Sequence, residues 1–86
     1  MTNKYIYFYV MKDDPDKIRH TVPSHVSYWK TAKLFDYLGG PFADRSGGAI
    51  TFNAKSLEEA TEIVLKDPFV SENILVNKWV KEWIIE

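Results

Sequence analysis

Two stretches of the chain carry apolar or aromatic side chains on both of the faces that a β-strand presents. The first runs from Lys4 to Met11 and combines aromatic with β-branched residues. The last runs from Ile74 to Ile85, and Leu75, Trp79 and Trp83 are expected to share one of its faces. We therefore predict a strand at each end of the chain, each with side chains to bury on both sides of its sheet.

The segment that follows the first strand has the spacing and the capping residues of a helix. Pro23 is a favoured residue type for the first turn of a helix, so the main helix is expected over about 23–36. One or two helical turns within 15–22, capped by Asp14, are expected before it. This prediction puts His25 on the opening turn of the main helix.

Glycine, proline and a capping box divide the second half of the chain. Gly39–Asp44 is expected to form a short edge strand, and Ala49–Asn53 the strand that returns beside it. The turn between them, Arg45–Gly48, is expected to use its two glycines for positive φ angles. Ser56 and Glu59 then begin a second helix, which ends before Pro68.

The resulting order, β-α-β-β-α-β, predicts a ferredoxin-like α+β fold in which two helices cover one face of an antiparallel four-stranded sheet. The 86 residues are expected to form a single domain, 1–86. Because the helices cover one face only, the aromatic side chains of the other face would form a large exposed patch. We therefore expect a homodimer through the open sheet face, with a small-molecule cleft near its interface.

Composition narrows the possible partners. The net charge is −1, so a nucleic-acid or membrane partner is not expected. Cysteine is absent, which excludes disulfides, thiolate metal ligands and a thiol nucleophile. The apolar runs are shorter than the ~18 residues that span a bilayer, so we expect a cytoplasmic location. The two histidines lack the spacing of a metal site, and no metal or cofactor is expected.

His25 and Asp44 are the candidate catalytic residues. If the helix runs antiparallel to the neighbouring strand, the start of the helix and the end of the strand lie at one edge of the sheet. Asp44 could then orient His25 as a general base for proton abstraction. In the alternative, His25 binds a loop carbonyl and Asp44 only opens the turn with an Asx hydrogen bond. Tyr7 and Tyr9 are either core residues or cleft-lining ligand contacts.

The chain resembles the YCII-related (YciI-like) family of the dimeric α+β barrel superfamily over nearly its whole length. The resemblance rests on several short motifs in the same order: Asp13-Asp14-Pro15, Pro23-x-His25, Gly39-Gly40-Pro41-Phe42-x-Asp44, Gly47-Gly48, Ser56 to Ala60, Asp67-Pro68-Phe69, Trp79 and Trp83. It implies a small homodimer whose active site holds a His–Asp pair, assigned here to His25 and Asp44. It also implies a substrate-binding role for Arg19, and Phe42 of the Gly-Gly-Pro-Phe motif joins Tyr7 and Tyr9 as a substrate contact.

Some relatives in this family are dehydrochlorinases of chlorinated hydroxyquinols, and the superfamily includes muconolactone isomerases. The expected function is therefore that of a cofactor-independent lyase or isomerase acting on a small aromatic or lactone-like molecule. The alternative is a non-catalytic dimeric module that binds a small molecule. Turnover of a substrate separates the two.

Overall fold

The computed structural model describes residues 2–86 and contains four strands and three helices within them. The sheet is antiparallel throughout, and its strand order is β2-β3-β1-β4, with the ferredoxin-like topology predicted above. No helix within residues 2–86 is both long enough and apolar enough to cross a membrane. The elements are β1 (Asn3–Met11), α1 (Pro15–Thr31), β2 (Leu38–Pro41), β3 (Gly47–Ala54), α2 (Leu57–Leu65), α3 (Pro68–Ser71) and β4 (Leu75–Glu82).

The core lies between the sheet and the helices and is centred on β1. Tyr5, Tyr7 and Tyr9 alternate along this strand and are all buried under the helices. Trp29 of α1 stacks beside Tyr7 with their ring centroids 5.8 Å apart. The intervening residues of β1 point to the open face, where the rings of Phe8 and Trp79 stack at 4.9 Å. Both faces of β1 therefore carry aromatic contacts, as the sequence predicted.

Helix α1 differs from the prediction because it begins at Pro15 rather than at Pro23. Asp14 caps it by accepting a hydrogen bond from the Lys17 N–H, and Pro15 occupies the first turn. Pro23 lies inside the helix and lacks the N–H that would bind the carbonyl four residues earlier. His25 therefore lies in the body of α1 rather than on its opening turn.

The buried residues of α1 follow one stripe, with a spacing of four residues between Thr21, His25 and Trp29. Val26, next to His25 in the sequence, lies outside this stripe and is 39% exposed. The stripe explains how α1 tolerates Pro23, since packing of this face against the sheet stabilises the helix beyond its intrinsic propensity.

Strand β4 contains a bulge, which moves the side chain of Leu75 to the face of the sheet opposite to the predicted one. Val10 pairs with Asn77 but the next residue, Met11, pairs with Leu75, so one residue of β4 is left over. Leu75 consequently packs against the core beneath the helices, whereas Trp79 faces the open side opposite Phe8. The prediction that Leu75 and Trp79 share a face is wrong because strand alternation does not continue across a bulge.

The helix that starts at Ser56 has the predicted boundaries and the predicted cap. The Ser56 Oγ accepts a hydrogen bond from the Glu59 N–H at 3.1 Å. After α2 the chain turns at Asp67 into the short helix α3. This turn lies under α1, and it supplies the central residue of the site described next.

Candidate active site

Asp67 is a fully buried carboxylate at the junction of α2 and α3. It caps α3, because its Oδ1 accepts a hydrogen bond from the Phe69 N–H at 3.0 Å. A position directly before a proline in the first turn is typical of a helix cap. A capping aspartate is usually solvated, however, whereas this one is covered by the helix layer and must find all of its partners within the protein.

Two further groups bind the same carboxylate. The Nδ1 atom of His25 lies 2.7 Å from the Asp67 Oδ1, and the Tyr7 hydroxyl donates to the Oδ2 at 3.0 Å. A carboxylate only accepts hydrogen bonds, so the imidazole donates through its Nδ1–H. In the neutral ring this leaves the lone pair on Nε2, which is the arrangement of a general base.

The imidazole of His25 is held by ring contacts as well as by Asp67. It stacks on the Phe69 ring with the centroids 3.8 Å apart and the planes inclined by 7°. Tyr9 meets it edge-on at 6.0 Å. These contacts leave His25 9% exposed, and they fix the direction in which the ring edge faces.

The predicted pairing of His25 with Asp44 is wrong. Asp44 lies in the exposed turn after β2, and its Oδ1 accepts hydrogen bonds from the Ser46 N–H at 3.0 Å and the Ser46 Oγ at 2.7 Å. These hydrogen bonds, the one from the Ser46 hydroxyl first, lower the pKa of Asp44 below its ordinary value. This is the Asx turn that the sequence left open as the alternative.

The turn also departs from the prediction in its backbone. The two glycines of the Arg45–Gly48 segment belong to β3, and neither has a positive φ. Arg45 instead adopts the left-handed conformation, with φ of 65°. Its N–H donates to the Phe42 carbonyl at 3.0 Å, which closes the turn. The glycines serve close approach instead, since a Cβ on Gly48 would lie 2.5 Å from the Tyr9 hydroxyl oxygen.

A cavity of about 300 Å³ opens beside His25, between α1 and the β2–β3 edge of the sheet. Its walls are mostly apolar and aromatic, and Lys30 and Arg45 are the charged side chains among the residues that line it. The lining residues are Tyr9, Val22, His25, Val26, Lys30, Tyr37, Gly39, Gly40, Pro41, Arg45, Ile50 and Phe69. A cavity of this size suits one small molecule with an apolar body.

The other predicted substrate contacts fall in different places. Tyr9 lines the cavity, whereas Tyr7 is fully buried behind it and binds Asp67. Arg19 lies on the exposed side of α1, where it pairs with Asp16. Phe42 is 39% exposed in the turn after β2. Of these four residues, Tyr9 alone lines the cavity.

Sequence reasoning missed the site residues that come together only in the folded chain. Asp67 is separated from His25 by 42 residues and from Tyr7 by 60. The sequence feature that could have pointed to Asp67 is the Asp67-Pro68-Phe69 motif. Its aspartate caps α3, and that structural role is sufficient to explain the motif. Among residues 2–86, no group of three or more His, Cys, Asp or Glu side chains lies close enough together to hold a metal ion.

The site keeps its two tyrosines protonated. Burial, and after it the negative charge of Asp67, raises the pKa of Tyr7 and of Tyr9 well above the ordinary value of a phenol. Both hydroxyls are therefore neutral donors throughout the physiological range.

These shifts predict a loss of stability at alkaline pH. The unfolded chain releases its tyrosine protons from about pH 10 upward, whereas folded Tyr7 and Tyr9 retain theirs. The contribution is therefore fully present below pH ~10, and above it the free energy of unfolding should fall by about 1.4 kcal/mol per pH unit for each tyrosine. Urea unfolding at several pH values from about 9 to about 11, the range in which unfolded tyrosines lose their protons, measures this slope. Lysines also titrate in this range, so the variant Tyr9→Phe is compared with the wild type. Its free energy of unfolding should fall less steeply with pH, and an equal slope in the two proteins would contradict the prediction.

The family model described as the YCII-related domain matches residues 5–84 of the chain. Among curated proteins, the chain is 43% identical over 53 residues to the uncharacterized protein YjpA of Bacillus subtilis (strain 168). That match covers 58% of the chain and 58% of YjpA, so it spans less than two thirds of this relative's length.

Two solved structures have a similar fold at low sequence identity. One is 5-chloro-2-hydroxyhydroquinone dehydrochlorinase (TftG) from Burkholderia phenoliruptrix AC1100, in complex with 2,5-dihydroxybenzoquinone. It is 17% identical with a TM-score of 0.79, over 94% of this chain and 93% of that one. The other is a dimeric ferredoxin-like protein of unknown function from Thermobifida fusca YX, 12% identical with a TM-score of 0.58, over 99% and 92% of the two chains. At these identities the likeness concerns the fold.

Proposed function

Because this chain belongs to the YCII-related family and carries a buried His–Asp pair whose histidine lines a cavity, we propose that it is a cofactor-independent enzyme of the lyase or isomerase type. The observation that carries the proposal is the orientation of His25. Its Nδ1 is bound to Asp67, its ring lines the cavity, and its Nε2 is left with a lone pair. The reaction proposed is removal of an acidic proton from a small molecule in the cavity.

His25 is the proposed general base, and Asp67 is the proposed positioning residue. When Nε2 takes a proton from a hydroxyl or an activated C–H group, the ring becomes an imidazolium cation. The carboxylate 2.7 Å from Nδ1 stabilises that charge. Tyr7 and the Phe69 N–H hold the carboxylate in turn, so that Asp67 cannot rotate away.

The proton transfer leads to two classes of product without an external oxidant or reductant. In an elimination, the electron pair of the broken O–H or C–H bond forms a new double bond. A halide then leaves with the electron pair of its bond to carbon, for a net loss of one hydrogen halide. In an isomerisation, the imidazolium returns the proton to a different atom. The dehydrochlorinase among the similar folds supports testing the elimination first.

The direct test is turnover of chlorinated hydroxyquinols by the purified protein. We expect chloride release from 5-chloro-2-hydroxyhydroquinone, measured with a chloride electrode under anaerobic conditions to suppress autoxidation. A panel of unsaturated lactones, followed by ultraviolet absorbance, tests the isomerase branch. Saturable binding without turnover across both panels would contradict the proposal and support the alternative, a module that binds a small molecule without chemistry.

We also propose that the protein is a homodimer in which a second copy covers the open sheet face. The support is the stacked pair of Phe8 and Trp79 on that face, together with the exposed side chains of Leu38 and Trp83, 74% and 47% exposed. A second sheet packed against this face would bury them. Solved neighbours of similar fold include a dimeric ferredoxin-like protein, which makes a second copy the favoured occupant.

If the open face forms the dimer interface, a negative charge placed on that face should weaken the dimer, and one placed on the helix layer should not. Trp79→Glu should weaken the association about 30- to 1,000-fold, because it removes an aromatic anchor and buries a carboxylate. Light scattering during size-exclusion chromatography should give twice the chain mass for the wild type and the chain mass for this variant. Leu57→Glu, on the helix layer and 51% exposed, is the matched control and should remain dimeric. A monomeric wild type at micromolar concentration would overturn this proposal.

A further inference from the structure

The cavity beside His25 has two cationic side chains at its wall and an interior that is otherwise apolar. Lys30 lies on α1, four residues after Val26 and eight after Val22, so these three residues form one ridge along the helix. Arg45 comes from the opposite side, from the turn that precedes β3. The two charges therefore approach the cavity from separate elements.

Both cations are exposed, and neither forms an ion pair with a described residue. Within residues 2–86, neither Lys30 nor Arg45 has a carboxylate within ion-pair distance, and the lining residues include none that is acidic. The chain as a whole has a net charge of −1, so a cavity lined by two unpaired cations does not follow from a generally basic surface. Asp67 lies behind the cavity wall, with its charge directed to His25 and Tyr7.

The turn that carries Arg45 is built to hold one conformation. Asp44 accepts two hydrogen bonds from Ser46, and the Arg45 N–H donates to the Phe42 carbonyl. A non-glycine residue with φ of 65° is uncommon, and this hydrogen bonding around it compensates for its cost. Asp44 thus contributes to the site through the turn that positions Arg45 rather than through His25.

We propose that this cavity selects a small molecule with an apolar ring and an anionic oxygen group, a carboxylate or an acidic enol or phenol, and that Lys30 and Arg45 bind the anionic group. The inference rests on the proposed function of the cavity as the place where His25 removes a proton. The cations serve that reaction twice. They bind the charge that the substrate brings, and they stabilise the further negative charge that develops on it when its proton is transferred to Nε2.

The hydroxyl of Tyr9 complements the two cations. Tyr9 lines the cavity, and its raised pKa keeps the hydroxyl protonated, so it offers a neutral donor beside the charged ones. Gly48 makes room for this hydroxyl, since a Cβ there would lie within 2.5 Å of its oxygen. An anion with two oxygen groups on one ring could therefore be contacted from both sides of the cavity.

The test compares a pair of ring compounds that differ in charge. 2,5-Dihydroxybenzoquinone is an acidic vinylogous acid and is anionic at neutral pH, whereas 2,5-dimethoxybenzoquinone has the same ring and is neutral. The absence of cysteine removes thiol addition to either quinone. Binding of both is measured by calorimetry at low and high salt in the wild type, Lys30→Gln and Arg45→Gln. Lys17→Gln and Arg19→Gln remove one positive charge each from the exposed part of α1 and are the matched controls.

We expect the wild type to prefer the dihydroxy compound, and each cavity substitution to weaken its binding about 10-fold or more. The affinity for the dimethoxy compound should change less than about 2-fold in the cavity variants. The affinities for both compounds should change less than about 2-fold in the control variants. Added salt should reduce the preference. Equal binding of the two quinones, no binding of the dihydroxy compound, or equal losses in the control variants would overturn the inference.

Anion binding and turnover are measured separately, so this inference and the proposed function can fail independently. His25→Asn should bind the anion with little change, because Lys30 and Arg45 are intact, even though its turnover is lost. If anion selectivity is found and no substrate is turned over, the inference holds and the proposed enzymatic function fails. If turnover is found on neutral substrates without anion selectivity, the reverse is true.

Discussion

Replacing His25 with asparagine is expected to reduce turnover about 10²- to 10⁴-fold, the usual contribution of a general base. Asparagine is chosen because its amide nitrogen is bonded to Cγ, as Nδ1 is in histidine. The variant therefore keeps a donor directed to the Asp67 Oδ1 and loses the atoms beyond it, including Nε2. Asp67 retains its partners, and the effect on turnover reports the missing base.

Stability provides the first check on this interpretation. The lost stacking on Phe69 should lower the free energy of unfolding by about 1–2 kcal/mol, measured in urea, so the variant should still fold at 25 °C. His25→Gln is the complementary variant, since its amide lies near the position of Nε2 and cannot reach Asp67 in the same way. It should lose turnover and more stability than His25→Asn.

His20→Asn is the matched control for the loss of a histidine, because His20 is an exposed residue of the same helix. Its turnover and stability should equal those of the wild type within error. Retention of at least about a tenth of the wild-type turnover by His25→Asn would show that the proton is removed by another group.

Much of the fold was predictable from the sequence because the strands and α2 carry their own local signals. The alternation of β1, the capping box at Ser56 and the Gly/Pro-rich segment before Arg45 each specify a local structure with little competition. Their order then leaves few topologies for a chain of 86 residues. The strand order and the helix layer followed from this.

The errors arose where tertiary contacts prevail over a local preference. Pro23 is a typical first-turn residue, but packing of Thr21, His25 and Trp29 against the sheet carries the helix through it. The bulge of β4 depends on pairing with Met11 and has no signature in the residues of β4 alone.

The wrong partner for His25 is a consequence of the first error. With a helix beginning at Pro23, His25 would lie at the end of the helix where the Asp44 turn was expected. With α1 beginning at Pro15, His25 lies over the junction of α2 and α3 instead. The burial of Asp67 depends on how the two helices pack on the sheet, which local sequence does not encode.

Replacing Asp67 with alanine is expected to produce the largest loss of stability among single substitutions at the site, about 3–5 kcal/mol. The substitution leaves three buried donors without an acceptor, namely the Phe69 N–H, the Tyr7 hydroxyl and the Nδ1–H of His25. Domains of this size have a total stability of only ~5–10 kcal/mol. Urea unfolding measures the loss, and Asp44→Ala, which replaces an exposed aspartate, is the control and should lose far less stability.

Asp67→Asn separates the charge of this residue from its hydrogen bonds. The oxygen of the asparagine amide must face the Phe69 N–H, because the amide nitrogen there would oppose two donors. That same oxygen then accepts from the Nδ1–H of His25, while the amide nitrogen faces the Tyr7 oxygen, which can accept. We therefore expect a smaller loss of stability than in Asp67→Ala, about 1–2 kcal/mol.

The orientation and tautomer of His25 are retained in Asp67→Asn, so its turnover reports the charge alone. A neutral partner cannot stabilise the imidazolium formed during proton transfer, and turnover should fall about 10- to 100-fold, less than in His25→Asn. Full turnover in Asp67→Asn would mean that the carboxylate positions the ring without stabilising its charge. A loss of stability below about 1 kcal/mol in Asp67→Ala would contradict the buried network itself, because water would then have to satisfy groups that the structure keeps out of contact with solvent.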